Sequence, residues 1–210
     1  MHKPLILACV ALACAACAAP ERSRNLNDAS VPAPVMAQQV CSNCHGIDGN
    51  SVSPNFPRLA GQTAPYLAEQ LKAFRGHGRT DPAGFEYMWG LSRHITDAQV
   101  EGLAAYFSSQ APVPNPARSD PALVAKGKLI FENGDPAKSL PACKVCHGDR
   151  AQGNATFPRL AGQHSDYLVK QLNVFQRTDQ RPEGAVMKTI AHLLDANDIR
   201  AVAAYLQSMS

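Results

Sequence analysis

A seven-residue string occurs twice without change: Phe56-Pro57-Arg58-Leu59-Ala60-Gly61-Gln62 returns as Phe157-Pro158-Arg159-Leu160-Ala161-Gly162-Gln163. The likeness extends to either side. Tyr66-Leu67, Gln70-Leu71 and Phe74 recur as Tyr167-Leu168, Gln171-Leu172 and Phe175, and Ala104-Ala105-Tyr106-Phe107 returns as Ala203-Ala204-Tyr205-Leu206. The spacing between copies is 102 residues at Cys41 and Cys143, 101 at Phe56 and Phe157, and 99 at Ala104 and Ala203, so only short insertions separate them. Copies of domain size predict two similar domains rather than a solenoid. Alternating prolines in Ala111-Pro112-Val113-Pro114-Asn115-Pro116 favour an extended, semi-rigid connector. Residues 35–110 are therefore assigned to a first domain, 111–119 to the connector and 120–210 to a second.

Each copy contains one C-x-x-C-H string, Cys41-Ser42-Asn43-Cys44-His45 and Cys143-Lys144-Val145-Cys146-His147. On a helical turn, residues at i, i+3 and i+4 share a face. Two thiols and an imidazole are thus presented together, the arrangement that attaches a c-type haem covalently and ligates its iron through histidine. Zinc would require both cysteine pairs to converge across about a hundred residues, far beyond ribbon or finger spacing. A dithiol redox site would sit in a βαβ pattern, whereas these flanks read as helices and Pro/Gly loops. The cofactors expected are two covalently bound haem c groups.

The other three cysteines, Cys9, Cys14 and Cys17, fall in residues 1–19, which combine Lys3, an apolar run from Leu5 to about Ala16 and small residues after it. This is the pattern of a secretory signal, too short to span a bilayer. Cleavage after Ala18 or Ala19 leaves a soluble chain, and cleavage before Cys17 a lipid-anchored one. Cys14 stands three residues before Cys17, where a lipoprotein signal favours Leu, and this weighs against the anchor. Export to the periplasm agrees with haem attachment outside the cytoplasm. Residues 20–34 are polar and aperiodic and read as a flexible tether.

The fold class expected is all-α. Asp120 before Pro121 caps a helix lined by Leu123, Val124, Gly127, Ile130 and Phe131. Thr63 or Ala64 opens another through Leu67, Leu71 and Phe74, and Thr96 with Gln99 forms a capping box ahead of Val100, Leu103 and Phe107. Asp195 takes that role in the second copy. A buried haem would complete the core of domains of about ninety residues. Met88 and Met187 each stand seven residues before the start of a terminal-helix cap region, on a loop, and are the candidates for the sixth iron ligand. His77, His94, His164 and His192 compete for that position, but none has an equivalent in the other copy. Met36 and Met209 have no repeat partner either and read as core filling or surface.

Taken in order, C-x-x-C-H-G, F-P-R-L-A-G-Q, Y-L-x-x-Q-L-x-x-F and a methionine before the last helix, all twice, resemble the dihaem cytochrome c4 family over roughly residues 35–210. The resemblance implies two tandem class I cytochrome c domains, each built around a covalently attached haem. It implies a periplasmic carrier of single electrons toward a terminal oxidase, not an enzyme. It also implies that the carbonyls of Pro57 and Pro158 accept from His45 and His147, and that Arg58 and Arg159 pair with haem propionates. The plain alternative for both arginines is a solvated surface charge. Domain one departs from the pattern: its first helix is expected to be short and lacks a counterpart of Gly127.

Residues 35–110 hold five basic and six acidic side chains, and residues 121–210 eleven and eight. So mild an imbalance excludes the basic density of a nucleic-acid binder. It leaves two readings, ordinary solubilisation, which so small an imbalance favours, and a mild dipole that orients docking; the resemblance implies redox protein partners, a membrane donor complex and a terminal oxidase or reductase, met by a monomer. The competing function is a dihaem redox enzyme or a cytochrome subunit of a periplasmic dehydrogenase. That role needs an open iron position, whereas each copy offers a methionine.

Overall fold

The computed structural model describes residues 23–177 and 179–210; residues 1–19, read above as a secretory signal, with Cys9, Cys14 and Cys17, lie outside them. In the first domain α1 (Ala33–Met36) passes through a π-helical turn (Ala37–Cys41) directly into α2 (Ser42–His45). There follow α3 (Ala64–Arg75), a second π-helical turn (Gly84–Met88) running into α4 (Trp89–Ser92), and α5 (Asp97–Ser108). In the second domain α6 (Pro121–Asn133) is separated by a loop and a 3₁₀ turn (Pro136–Lys138) from α7 (Lys144–His147). It continues with α8 (Ser165–Arg177), a 3₁₀ turn (Pro182–Gly184), α9 (Ala185–Ala191) and α10 (Ala196–Ser208). Among the described residues the β structure consists of two isolated bridges, Asp135 to Leu140 and Asn154 to Phe157.

Local chemistry sets the helix starts. Thr96 accepts from the Gln99 N–H while Gln99 Oε1 accepts from the Thr96 N–H, a complete capping box. Asp195 and Asp198 form the corresponding box on α10, and Asp120 caps α6 through the Ala122 N–H. Thr63 precedes α3 but makes no side-chain cap, and its hydroxyl is buried without a partner. Thr96→Ala should lower stability by about 1 kcal/mol in thermal unfolding, the usual cost of an N-cap.

Two structural differences from the sequence reading concern the start of domain one. Residues 28–32 are no tether: Val31 is 1% exposed in the core, and Gln99 donates to the carbonyls of both Asp28 and Val31. The first helix begins at Ala33, inside the stretch read as tether, because Val31, Ala33 and Met36 supply apolar contacts that α5 would otherwise lack. The first core gathers Met36, Leu67, Ile95, Val100, Leu103 and Phe107. The second gathers Phe131, Leu168, Val202 and Leu206, with Ile130, Leu140, Leu194 and Ile199 beside them.

In both domains the first helix crosses the last at a glycine. Gly127 on α6 lies against the backbone of Ala201 and the Cβ of Tyr205, and Phe131 packs on the Tyr205 ring at 5.6 Å between centroids. In domain one the glycine has changed sides. Gly102 of α5 faces Ala33 of α1, whose Cβ lies 2.6 Å from where a Cβ on Gly102 would be.

The repeated seven-residue string forms the junction between the domains. Gln62 Nε2 donates to the Arg159 carbonyl (2.9 Å) and Gln62 Oε1 accepts from the Arg159 N–H (2.6 Å). Reciprocally, Gln163 Nε2 donates to the Arg58 carbonyl (2.9 Å) and Gln163 Oε1 accepts from the Arg58 N–H (2.9 Å). The connector is tied down as well: Asn50 Nδ2 donates to Ala111 O, and Asn50 Oδ1 accepts from the Val113 N–H.

Candidate functional site

Each Cys-x-x-Cys-His string forms a single helical turn that ends at a glycine with positive φ, Gly46 at 80° and Gly148 at 82°. A left-handed residue there stops the helix immediately after histidine. The chain then loops back so that His45 Nδ1 donates to the Pro57 carbonyl at 2.8 Å and His147 Nδ1 to the Pro158 carbonyl at 3.0 Å. A carbonyl only accepts, so the proton sits on Nδ1 and the lone pair on Nε2. Burial pushes both imidazoles below the usual histidine range, against the opposing pull of these carbonyls. Burial also pushes the Cys41 and Cys143 thiols up to about 11, so they are held as neutral thiols.

Phe56 meets the His45 ring edge-on at 6.2 Å, and Tyr87 meets Phe56 at 5.8 Å, which brings the Met88 segment within two ring contacts of His45. Phe157 repeats the first contact on His147 at 6.2 Å, but Val186 precedes Met187 where Tyr87 precedes Met88. Both methionines are half-buried. They stand on helical turns, not on the loops expected from sequence: Met88 closes the π turn before α4, and Met187 lies in α9. Apolar side chains stand exposed beside these groups, Ile47, Val52, Phe85 and Tyr87 in one domain and Val145 and Val186 in the other.

These residues fit a covalently attached haem in each domain. Two free thiols and an imidazole with an available Nε2 share a short turn, and exposed apolar side chains flank them. Among the described residues no three His, Cys, Asp or Glu side chains gather as a metal cluster, so the two cysteine pairs do not converge.

The family model described as cytochrome c matches residues 33–111 and 124–210, one match per copy of the repeat. Cytochrome c4 of Azotobacter vinelandii is 40% identical over 179 residues, covering 81% of this chain and 84% of that one. The chain belongs to the cytochrome c4 family. The crystal structure of reduced recombinant cytochrome c4 from Pseudomonas stutzeri superposes with a TM-score of 0.75 at 36% identity, over 88% of this chain and all of that one. A further relative, the thiosulfate dehydrogenase electron acceptor of Stutzerimonas stutzeri, is 33% identical over 82% of this chain and 80% of its own length. As a member of the cytochrome c4 family the chain is a dihaem c-type electron carrier and not an enzyme.

The arginines of the repeat behave differently from each other. Arg58 is buried and donates to Gly162 O, Asn50 Oδ1 and Val113 O, joining both domains and the connector. Arg159 has a buried Nε with no protein partner. A second tier of the interface is a buried cluster that the sequence reading missed. Arg79 and Arg181 each donate to both Gln70 and Gln171 of the repeat. Arg79 also forms a two-pronged pair with Asp81, and Arg181 pairs with Glu183. Each guanidinium lies over the repeat phenylalanine of its own domain, Arg79 on Phe74 and Arg181 on Phe175.

Proposed function

We propose that Cys41 and Cys44 would hold one haem and Cys143 and Cys146 the other, with His45 and Met88 as the residues that would ligate its iron in the first domain and His147 and Met187 in the second. The observation that carries this reading is the repeated Nδ1–H bond to Pro57 or Pro158, which orients each imidazole and leaves Nε2 free for iron. When bound, each haem supplies a one-electron ferrous–ferric couple, and methionine opposite histidine raises its potential. The competing histidines have other partners. His77 stacks on Trp89 at 4.2 Å, both ring nitrogens of His164 are bonded, to Asn115 and Ser51, and His192 stands exposed at the surface. His94 is exposed. The unpartnered Nε of Arg159 supports a propionate contact there, while Arg58 acts chiefly through the interface.

The chain's own groups keep reorganisation small during transfer: Pro57 and Pro158 fix the imidazole tautomers, and the interface holds the two sites in one frame. The setting proposed is the periplasm, reached through the signal segment 1–19, with Cys17 lipidation as the anchored variant. The partners proposed are a membrane donor complex and a terminal oxidase or reductase. A relative named as an electron acceptor of thiosulfate dehydrogenase supports a dehydrogenase as a further donor class.

Redox titration of Met88→Ala and Met187→Ala holoproteins tests the ligand set. Each substitution should lower the potential of its own haem and convert that haem to a high-spin or exogenous-ligand-binding form, leaving the other unchanged. If neither potential nor spin state moved, the methionine assignment would be wrong.

A further inference from the structure

The peptide unit between Pro57 and Arg58 is used at both ends. Its carbonyl accepts from His45 Nδ1, and its N–H donates to Gln163 Oε1 of the other domain at 2.9 Å. The Pro158–Arg159 peptide does the same, with His147 on its carbonyl and Gln62 Oε1 of the first domain on its N–H at 2.6 Å. Neither glutamine amide is ambiguous in orientation. Gln163 Oε1 also accepts from the His164 N–H and Gln62 Oε1 from the Thr63 N–H, while each Nε2 donates to a carbonyl. Both glutamines are buried, so water does not compete for these bonds.

We infer that Gln163 tunes the haem of domain one and Gln62 the haem of domain two, each acting across the interface as a positioning residue for the other domain's histidine. Hydrogen bonds in series polarise one another. An acceptor on the peptide N–H makes its carbonyl oxygen more negative, which strengthens the Nδ1–H bond and gives the imidazole more anionic character. A more basic ligand favours ferric iron. Each glutamine therefore lowers the potential of the haem it reaches, and the domains are electronically linked only while they are docked. The inference rests on His45 and His147 being the iron ligands.

Gln163→Leu and Gln62→Leu holoproteins test it by spectroelectrochemical titration, with each wave assigned by the one that Met88→Ala displaces. Gln163→Leu should raise the domain-one potential alone, through a roughly two- to fivefold change in its reduction equilibrium, or roughly 20–40 mV at 59 mV per tenfold. It should also move the His45 Nδ1–H resonance of the reduced protein upfield. Gln62→Leu should do the same for domain two and His147. Movement of both potentials together, of the glutamine's own-domain haem, or of neither overturns the relay. Gln163→Glu keeps an oxygen acceptor on the Arg58 N–H, so it must leave the His45 resonance in place or move it downfield; an upfield move there also overturns the relay. Methionine side-chain resonances shifted upfield by the reduced haems report the ligand set separately. Their absence from the unsubstituted protein would overturn the methionine assignment without touching the relay, which needs only the histidines, whereas their presence with unmoved potentials removes the relay alone.

Discussion

Asp81→Asn should destabilise the holoprotein by roughly 3–5 kcal/mol, the cost of leaving one partner of a buried ion pair uncompensated. Asp81 is 0% exposed and meets Arg79 at 2.9 and 3.1 Å through both oxygens, with Gln171 Nε2 on the second oxygen at 3.2 Å. The demand on this carboxylate is unusual because two guanidiniums share the same acceptors. Arg79 and Arg181 both reach Gln70 Oε1, at 2.7 and 2.8 Å, and both reach Gln171 Oε1, at 3.3 and 2.6 Å. Glu183 balances Arg181, and Asp81 is left to balance Arg79. Asparagine keeps the shape but removes the charge, so two cations face each other across the domain junction. Denaturant unfolding of the holoprotein measures the loss.

The same pair sets an acid limit. Burial raises the Asp81 pKa, but the Arg79 guanidinium, with Gln171 and Arg181 behind it, more than offsets this and holds the carboxyl below its ordinary value of 3.8. A carboxyl depressed in the folded state contributes stability that is present above its unfolded pKa and is lost as pH falls through the folded one. Stability should therefore fall below about pH 4. Asp81→Asn should flatten that part of the pH profile, as followed by urea midpoints.

How much of this was legible from sequence depends on how each feature repeats. The heavily repeated string Phe-Pro-Arg-Leu-Ala-Gly-Gln was visible at once, but its role was not. Only the folded chain brings Gln62 and Gln163 across to Arg159 and Arg58, since a cross-domain bond leaves no periodicity. Arg79 and Arg181 were hidden by a one-residue insertion: they follow Phe74 and Phe175 by five and six residues, so no single register aligns them. The signal that would have found them is Arg-x-acid, Arg79-Thr80-Asp81 and Arg181-Pro182-Glu183, which recurs once that slip is allowed. Helix caps at Thr96, Asp120 and Asp195 were readable because capping is local chemistry. The tether was misread for the opposite reason: Val31 is buried by contacts that α5 provides from far along the chain.

Gly127→Ala should cost about 1–3 kcal/mol even though alanine is the better helix former by about 1 kcal/mol. The new Cβ would press on the Ala201 carbonyl, which belongs to the backbone of α10 and cannot turn aside, and would lie 2.8 Å from Tyr205 Cβ. The missing glycine of domain one looks from sequence like a weaker version of this crossing, but the crossing is kept. Gly102 occupies the position on α5 that Ala201 occupies on α10, and Ala33 supplies the methyl group from the first helix. Gly127 makes room for the Ala201 carbonyl in domain two, and Gly102 makes room for the Ala33 methyl group in domain one. Gly102→Ala places two methyls 2.6 Å apart and should cost less than Gly127→Ala because it meets a side-chain methyl, not a backbone carbonyl. The double exchange Ala33→Gly with Gly102→Ala moves the methyl to the last helix, as in domain two. It should recover stability to within about 1 kcal/mol of the unsubstituted protein in denaturant unfolding, a coupling expected only of residues in direct contact. A double variant as unstable as the sum of its single changes would mean that the two crossings are not equivalent. The short first helix of domain one would then be held by Val31 and Met36 rather than by the fit of α1 on α5.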